Sequence, residues 1–235
     1  MRSFAFIFIV AFMAFMSRQS VAACQGSAGP ACEEVLTSGT TFTAPSWVDS
    51  NTVTRLLLVG GGGGGGGNNA TTNIGGGGGS GAVCVVIGTG LLAASTGYTY
   101  AIGALGSGST TDADAGSAGG NTTFTVGGTT YTADGGSGGE VGSTATYANA
   151  GGGAANCTIN NTGDAGLNNG QTANDQYSYG GGGRWGLYPF GMGGSGSVNV
   201  QAATGLGVGG SGGVGTAALG NAGTAGEIIV YLQGE

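Results

Sequence analysis

From residue 40 onward the apolar positions fall in short runs with the period of strands. Thr40-Thr41-Phe42-Thr43-Ala44 alternates up to Pro45, where it ends. Val53–Val59 reads VTRLLLV and is apolar at every position after Arg55, as in a strand buried on both faces. Ala82–Ile87 has the same character, and Gly97–Ile102 (GYTYAI) is rich in strand-forming residues. Thr122–Val126 and Thr129–Ala133 flank Gly127-Gly128, the pattern of a two-residue hairpin. That loop would pair Phe124 with Tyr131, Val126 with Thr129, Thr125 with Thr130 and Thr123 with Thr132. Glu227–Leu232 is a last apolar run that needs a sheet to join. No helical period appears after the first residues. The expected fold is all-β, a sandwich of short strands.

Glycine changes that picture. It supplies 59 of 235 residues, with eight in a row at 60–67, five at 75–79 and four at 180–183. Collagen is excluded, because glycine does not recur at every third position and there are three prolines. Runs of glycine usually make flexible linkers. Here they alternate with apolar strands, and later tracts carry Leu206, Val208, Val214 and Leu219. The alternative is a stack of extended threefold helices of the polyglycine II type, with about 3.1 Å rise per residue and no internal hydrogen bonds. Without Cβ atoms such chains can lie side by side and satisfy each other's N–H and C=O groups. We expect these segments to pack onto the sandwich.

Residues 1–23 read as a secretory leader. Arg2 is followed by an apolar run from Phe4 to Met16 and then by small residues ending at Ala22-Ala23. Thirteen apolar residues fall short of the roughly 20 a membrane span needs. Residues 24–39 form a short cysteine-containing segment, and 40–235 one glycine-rich β domain. The chain then carries two arginines (Arg55, Arg184), no lysine, no histidine and eleven acids, a formal charge of −9. Val21-Ala22-Ala23-Cys24 also fits a permissive lipobox, which would lipidate Cys24. Four cysteines in an exported chain instead suggest two disulfides. Cys24 and Cys32 bracket the flexible loop QGSAGPA, so Cys24–Cys32 with Cys84–Cys157 is the expected pairing among three.

The order of these pieces is familiar. Thr41-Phe42-Thr43-Ala44-Pro45, then Thr54–Val59, then Gly60–Gly67, resembles the entry to the glycine-rich domains of phage tail-fibre adhesins and secreted bacterial relatives. Tyr98–Gly103, Gly119–Phe124 and the ending Gly226–Tyr231 are similar to later elements of the same family. The resemblance spans about residues 40–235. It implies a β-sandwich with packed polyglycine helices, variable loops at one end that contact cell-surface receptors, and no catalysis. The leader departs from phage fibre proteins and points to a cellular, secreted relative.

Composition removes most catalytic options. Without histidine there is no Ser-His-Asp triad, Cys-His pair or histidine metal site. Without lysine the glycine runs cannot form a Walker-type phosphate loop. The sequence pI of about 4.1 excludes a basic nucleic-acid surface. A carboxylate-only glycosidase would draw on Asp112, Asp114, Asp134, Glu140, Asp164 and Asp175. Asp112-Ala113-Asp114 resembles the start of a calcium loop, but Gly116 stands at the third ligand position and no closing glutamate follows. Neither a cofactor nor a metal is expected. Asn69-Ala70-Thr71, Asn121-Thr122-Thr123, Asn156-Cys157-Thr158 and Asn160-Asn161-Thr162 fit the glycosylation pattern, which asparagine- and threonine-rich sequence yields by chance.

One cluster stands out. Tyr177, Tyr179, Arg184, Trp185, Tyr188 and Phe190 fall within 14 residues. Tyrosine, tryptophan and arginine are enriched in binding hot spots. The cluster reads either as a ligand-binding loop or as rings capping the glycine stack. Two functions follow as expectations. One is a secreted surface-adhesion or receptor-recognition module acting on a cell-surface glycan or outer-membrane protein. The other is a structural subunit of an extracellular matrix or filament, built by self-association. An ice-binding face finds no regular threonine array to support it.

Overall fold

The computed structural model describes residues 23–24, 30–68, 74–142, 148–169, 177–181, 195–196, 203–214 and 218–234. Residues 1–22 lie outside them. The described residues hold fourteen strands and no helix. In chain order they are β1 (Ala31–Leu36), β2 (Thr41–Thr43), β3 (Val53–Val59), β4 (Val83–Thr89), β5 (Gly97–Ala101), β6 (Thr122–Val126) and β7 (Thr129–Ala133). There follow β8 (Ala148–Asn149), β9 (Ala154–Ala155), β10 (Ile159–Asn161), β11 (Gly166–Asn169), β12 (Tyr177–Tyr179), β13 (Ser195–Gly196) and β14 (Glu227–Gln233). Sheet I has the order β1-β14-β3-β4-β10, sheet II β2-β5-β6-β7-β9, and a smaller sheet III β13-β12-β11-β8. All pairings are antiparallel.

Sheets I and II pack face to face as a β-sandwich. Leu56, Leu58, Val86, Ile228, Val230 and Leu232 from sheet I meet Phe42, Tyr98, Tyr100 and Phe124 from sheet II. Phe124 is fully buried, with the rings of Phe42, Tyr98 and Tyr100 centred 6.1–6.4 Å away. The other residues of β3 and β4, Leu57, Val59, Val83 and Val85, are buried on the outer face, partly beneath Leu206. Leu56–Val59 is therefore covered on both sides, as its pattern predicts. The hairpin also forms in the expected register, Phe124 opposite Tyr131 and Thr125 opposite Thr130. Gly127 and Gly128 both take positive φ (56° and 83°), the requirement of a turn that keeps the strand twist. β1 lies outside the strands the pattern predicts: Glu33-Glu34 interrupts its alternation, yet it pairs along its length with β14.

Six sandwich strands run directly into glycine segments. β3, β5 and β7 continue as 60–68, 103–109 and 134–142, while 76–82, 114–120 and 218–226 lead into β4, β6 and β14. Segment 60–68 sits at the centre. The N–H groups of Gly60, Gly63 and Gly66 reach Ala82, Gly79 and Gly76. Those of Gly61, Gly64 and Gly67 reach Gly120, Ser117 and Asp114, and those of Gly62, Gly65 and Asn68 reach Thr224, Asn221 and Ala218. These bonds are 2.8–3.0 Å long. The central carbonyls accept from Gly136, Gly139 and Gly142, from Gly106 and Ser109, and from Gly210 and Gly213. Partners change with every residue and return every third, the period of polyglycine II.

With 207–213, the other five segments close a ring around it. Gly116 donates to Gly139, Ser117 to Ser107, Gly223 to Gly106, Asn221 to Ser211, Gly78 to Gly210 and Gly79 to Ser137. Every N–H from Gly60 to Asn68 and every carbonyl from Gly61 to Gly67 is thus satisfied by other parts of the chain, as buried backbone must be. The lattice also explains the glycine count. A Cβ at any of Gly60–Gly67 would stand inside 3.0 Å of a neighbouring backbone, closer than real side chains approach. Ring segments need glycine only where they face lattice. On the solvent side they carry residues at three-residue spacing: Asp134, Ser137 and Glu140, or Leu219, Ala222 and Ala225.

Two disulfides fix the periphery. Cys24–Cys32 ties the chain to β1, with Cα atoms 4.8 Å apart, and Cys84–Cys157 ties β4 to the turn between β9 and β10, at 5.5 Å. This is the expected pairing, and no described cysteine is free. Thr122 locks the junction of sandwich and lattice. Its buried Oγ1 donates to the Val59 carbonyl (2.6 Å) and accepts from the Gly103 N–H (2.9 Å).

Candidate functional site

The aromatic cluster begins on a fixed base. Tyr177 and Tyr179 lie on β12, between β11 and β13. Ser178 between them is fully buried, and its Oγ accepts from the Gly212 N–H at 2.8 Å. Gly181 donates to Gly78 and accepts from Gly209, so the chain enters the lattice as it leaves β12. Arg184, Trp185, Tyr188 and Phe190 lie outside the described residues. Tyr177 and Tyr179 are thus placed on a strand held by the lattice.

The acidic candidates are dispersed. Asp134 and Glu140 sit on one threefold segment, six residues apart, which is roughly 19 Å at 3.1 Å per residue. Glycosidase pairs work at about 5–9.5 Å. Asp112 and Asp114 lie in the turn where segment 103–109 passes into 114–120. There Thr110 donates to the Asp114 carboxylate (3.0 Å) and the Asp114 carbonyl accepts from Gly67. The Asp164 carbonyl accepts from Ser80, and Asp175 lies outside the described residues. Among the described residues no group of three or more carboxylates or cysteines is placed to hold a metal ion.

Among the described residues two carboxyls have displaced proton affinity. Asp49 is held below the ordinary aspartate value by the hydrogen bond from the Asn51 N–H, and also by the Thr52 hydroxyl. It caps a surface turn. Glu227, where segment 218–226 becomes β14, is pushed up by burial.

A feature the sequence reading missed lies on the outer face of sheet I. Glu33, Tyr231 and Arg55 stand in one cross-strand row on β1, β14 and β3. With Leu57 and Ile229 they line a groove of about 210 Å³. Val35, Val53, Ile87 and Ile159 lie on the same face of the sheet, each 38–49% exposed. The signal was present in Arg55, the one charge in an otherwise apolar strand.

A glycine-rich domain model matches residues 35–233, nearly the whole of the described fold. The chain belongs to the glycine-rich domain family. No curated protein matches it. The match begins within β1 and ends with β14, so this glycine-rich domain takes in the two strands that share the edge of sheet I. Its two disulfides are compatible with an extracellular setting, and no described helix is long and apolar enough to cross a membrane.

Proposed function

We propose that this chain is a secreted adhesion or receptor-recognition module that works through loops on a glycine-lattice scaffold. The observation that carries the reading is the anchoring of β12 by Ser178 and Gly181, directly before Arg184, Trp185, Tyr188 and Phe190. A segment held at its base loses less freedom on binding, and aromatic and arginine side chains supply most hot-spot energy. The leader at 1–23 and both disulfides support export. The resemblance to tail-fibre adhesins and secreted bacterial relatives supports recognition of a cell-surface glycan or outer-membrane protein. The reading involves no catalytic step and no nucleic acid.

The test measures binding and melting on the same variants. Trp185→Ala and Tyr188→Ala are expected to weaken attachment to cells or arrayed glycans by roughly 30-fold each, the equivalent of about 2 kcal/mol. Melting should stay unchanged. Normal binding with normal melting would remove this segment from the account; a large loss of melting temperature would make it a cap on the lattice. The second reading, a structural subunit, is favoured by Val35, Val53, Ile87 and Ile159, exposed on sheet I. Regular fibres at neutral pH in electron micrographs, in place of discrete particles, would decide for it.

A further inference from the structure

Sheet II turns its aromatic residues inward, and what it turns outward is mostly threonine. The register aligns these side chains in two cross-strand rows. Thr41 stands opposite Thr99 on β2 and β5, and Thr125 opposite Thr130 on β6 and β7. β5 and β6 pair Ala101 with Thr123, so two residues further along Thr99 faces Thr125. The first row is therefore Thr41, Thr99, Thr125, Thr130, across four strands. The second runs Ala101, Thr123, Thr132, Ala155 across β5, β6, β7 and β9. Thr41, Thr99 and Thr130 are exposed, and Thr125 and Thr132 are half-buried between their neighbours. No single strand carries a regular threonine array; the pairing of four strands assembles one.

This face is uncharged, stiff and evenly supported. β2, β5, β6, β7 and β9 hold no acid or base, where a soluble surface usually carries roughly 25–35% charged residues. Threonine is branched at Cβ and restricted at χ1, and the hydroxyls of Thr125 and Thr130 fix each other through a bond of 3.0 Å. A free sheet twists by roughly 20–25° from strand to strand, which carries its rows away from any plane. Here β5, β6 and β7 adjoin segments 103–109, 114–120 and 134–142, which lie side by side in the ring in the same order. Gly120 donates to Ala104 and Ser117 to Ser107; Gly119 donates to Gly136 and Gly116 to Gly139. The lattice thus holds the bases of three threonine strands in line.

Outward neighbours stand about 4.8 Å apart across strands and about 6.8 Å apart along one, close to the two repeats of the oxygen rows on a prism face of ice. Each threonine offers a hydroxyl that both donates and accepts, with a methyl group beside it. Waters bridging the hydroxyls take the spacing of the rows, and such bridges are nearly as favourable as direct hydrogen bonds. The two rows offer no ring, amide or carboxylate to grip a sugar or a peptide. We propose that the outer face of sheet II is an ice-binding face, whose threonine rows set the first layer of lattice water. The site is built without the aromatic segment after β12 and does not rest on the recognition reading. A molecule adsorbed there forces ice to advance as a curved front between neighbours, and a curved front freezes only below the ordinary melting point.

The experiment follows single ice crystals in a solution of the full exported chain, cooled stepwise below the melting point, with circular dichroism to check that each variant is folded. Wild-type protein is expected to facet the crystals and to hold their growth over a measurable interval of temperature. Thr99→Tyr, which raises a ring from the middle of the first row, should abolish that interval. Ile87→Tyr, on sheet I, should leave it intact. If Thr99→Tyr fails to fold, Thr41→Tyr on the edge strand β2 breaks the same row and should abolish the interval too. Loss confined to the sheet II variants supports the proposal. Four results overturn it: crystals that grow unshaped in wild-type protein, an interval that a folded Thr99→Tyr or Thr41→Tyr retains, an equal loss in Ile87→Tyr, or adsorption of the wild type to an insoluble uncharged polysaccharide in place of ice.

Discussion

Replacing Gly64 by alanine puts one methyl group into the middle of the lattice. The new Cβ would stand 2.7 Å from the Gly108 nitrogen, with the Ser107 carbonyl closer still. Ordinary contact begins at 3.4 Å, so segments 60–68 and 103–109 must part by at least about 0.7 Å. Two hydrogen bonds join these segments, Gly106 to Gly62 at 2.8 Å and Ser109 to Gly65 at 3.0 Å. Both would lengthen to about 3.5 Å or more, beyond useful geometry. Each leaves a buried donor and acceptor unpaired, at about 1–3 kcal/mol. The total, about 2–6 kcal/mol, is a large share of the 5–15 kcal/mol that holds a typical domain. At about 2–4 °C per kcal/mol for a chain of this size, the midpoint should fall by roughly 12 °C. Thermal unfolding followed by circular dichroism measures it. Gly88→Ala is the control, since its Cβ meets only the Leu91 Cβ at 3.8 Å, and its stability should change by less than about 1 kcal/mol, a midpoint shift under about 4 °C. If Gly64→Ala melted with the control, the close-packed lattice would not be what requires glycine at the centre.

Other outcomes follow from single features. Glu227 has its proton affinity raised by burial, so the folded state holds the proton more tightly than the unfolded chain. Its contribution is therefore lost as pH rises from the ordinary glutamate value through the raised one, and Glu227→Gln should raise the melting temperature at pH 7 but not at pH 3. Asp49 has the opposite displacement: its small contribution is present at neutral pH and lost as pH falls through its lowered value, which Asp49→Asn should remove from the acid limb of a pH–melting curve. Cys84–Cys157 spans 73 residues and Cys24–Cys32 spans 8. Chain entropy assigns the longer loop about 4.5 kcal/mol and the shorter about 2.6 kcal/mol. Paired Cys→Ser variants compared in urea should keep that order.

What the sequence disclosed depended on the length scale of the signal. Strands with apolar alternation, such as Val53–Val59 and the hairpin around Gly127-Gly128, were legible because a sandwich core needs only period-two burial. β1 was not, because Glu33 and Glu34 side by side erase the period, and its pairing with β14 joins residues some 200 positions apart. The two- to four-residue strands β8 to β13 hold too few side chains to show a pattern. The glycine runs announced a lattice but not its plan. That plan is written in the residues that are not glycine: Asp134, Ser137 and Glu140 recur every third position because one side of their helix meets water. The aromatic cluster was visible as composition, whereas the outer-face row Glu33–Tyr231–Arg55 comes from three distant strands and exists only once their register is set.

The order of assembly is written into the same plan. The N–H groups of Gly62, Gly65 and Asn68 find their acceptors at Thr224, Asn221 and Ala218, and β3 has β14 as one of its two neighbours. Until residues 218–233 have arrived, the central helix has an open side and sheet I lacks the strand that joins β1 to β3. Nothing local can substitute, because a threefold glycine helix makes no hydrogen bond to itself. Such non-local closure is slow. A chain threaded through a membrane from its N-terminus would therefore stay loose throughout its passage and snap shut only at the far side. Delay of this kind suits a protein that must be pliable in transit and rigid on arrival.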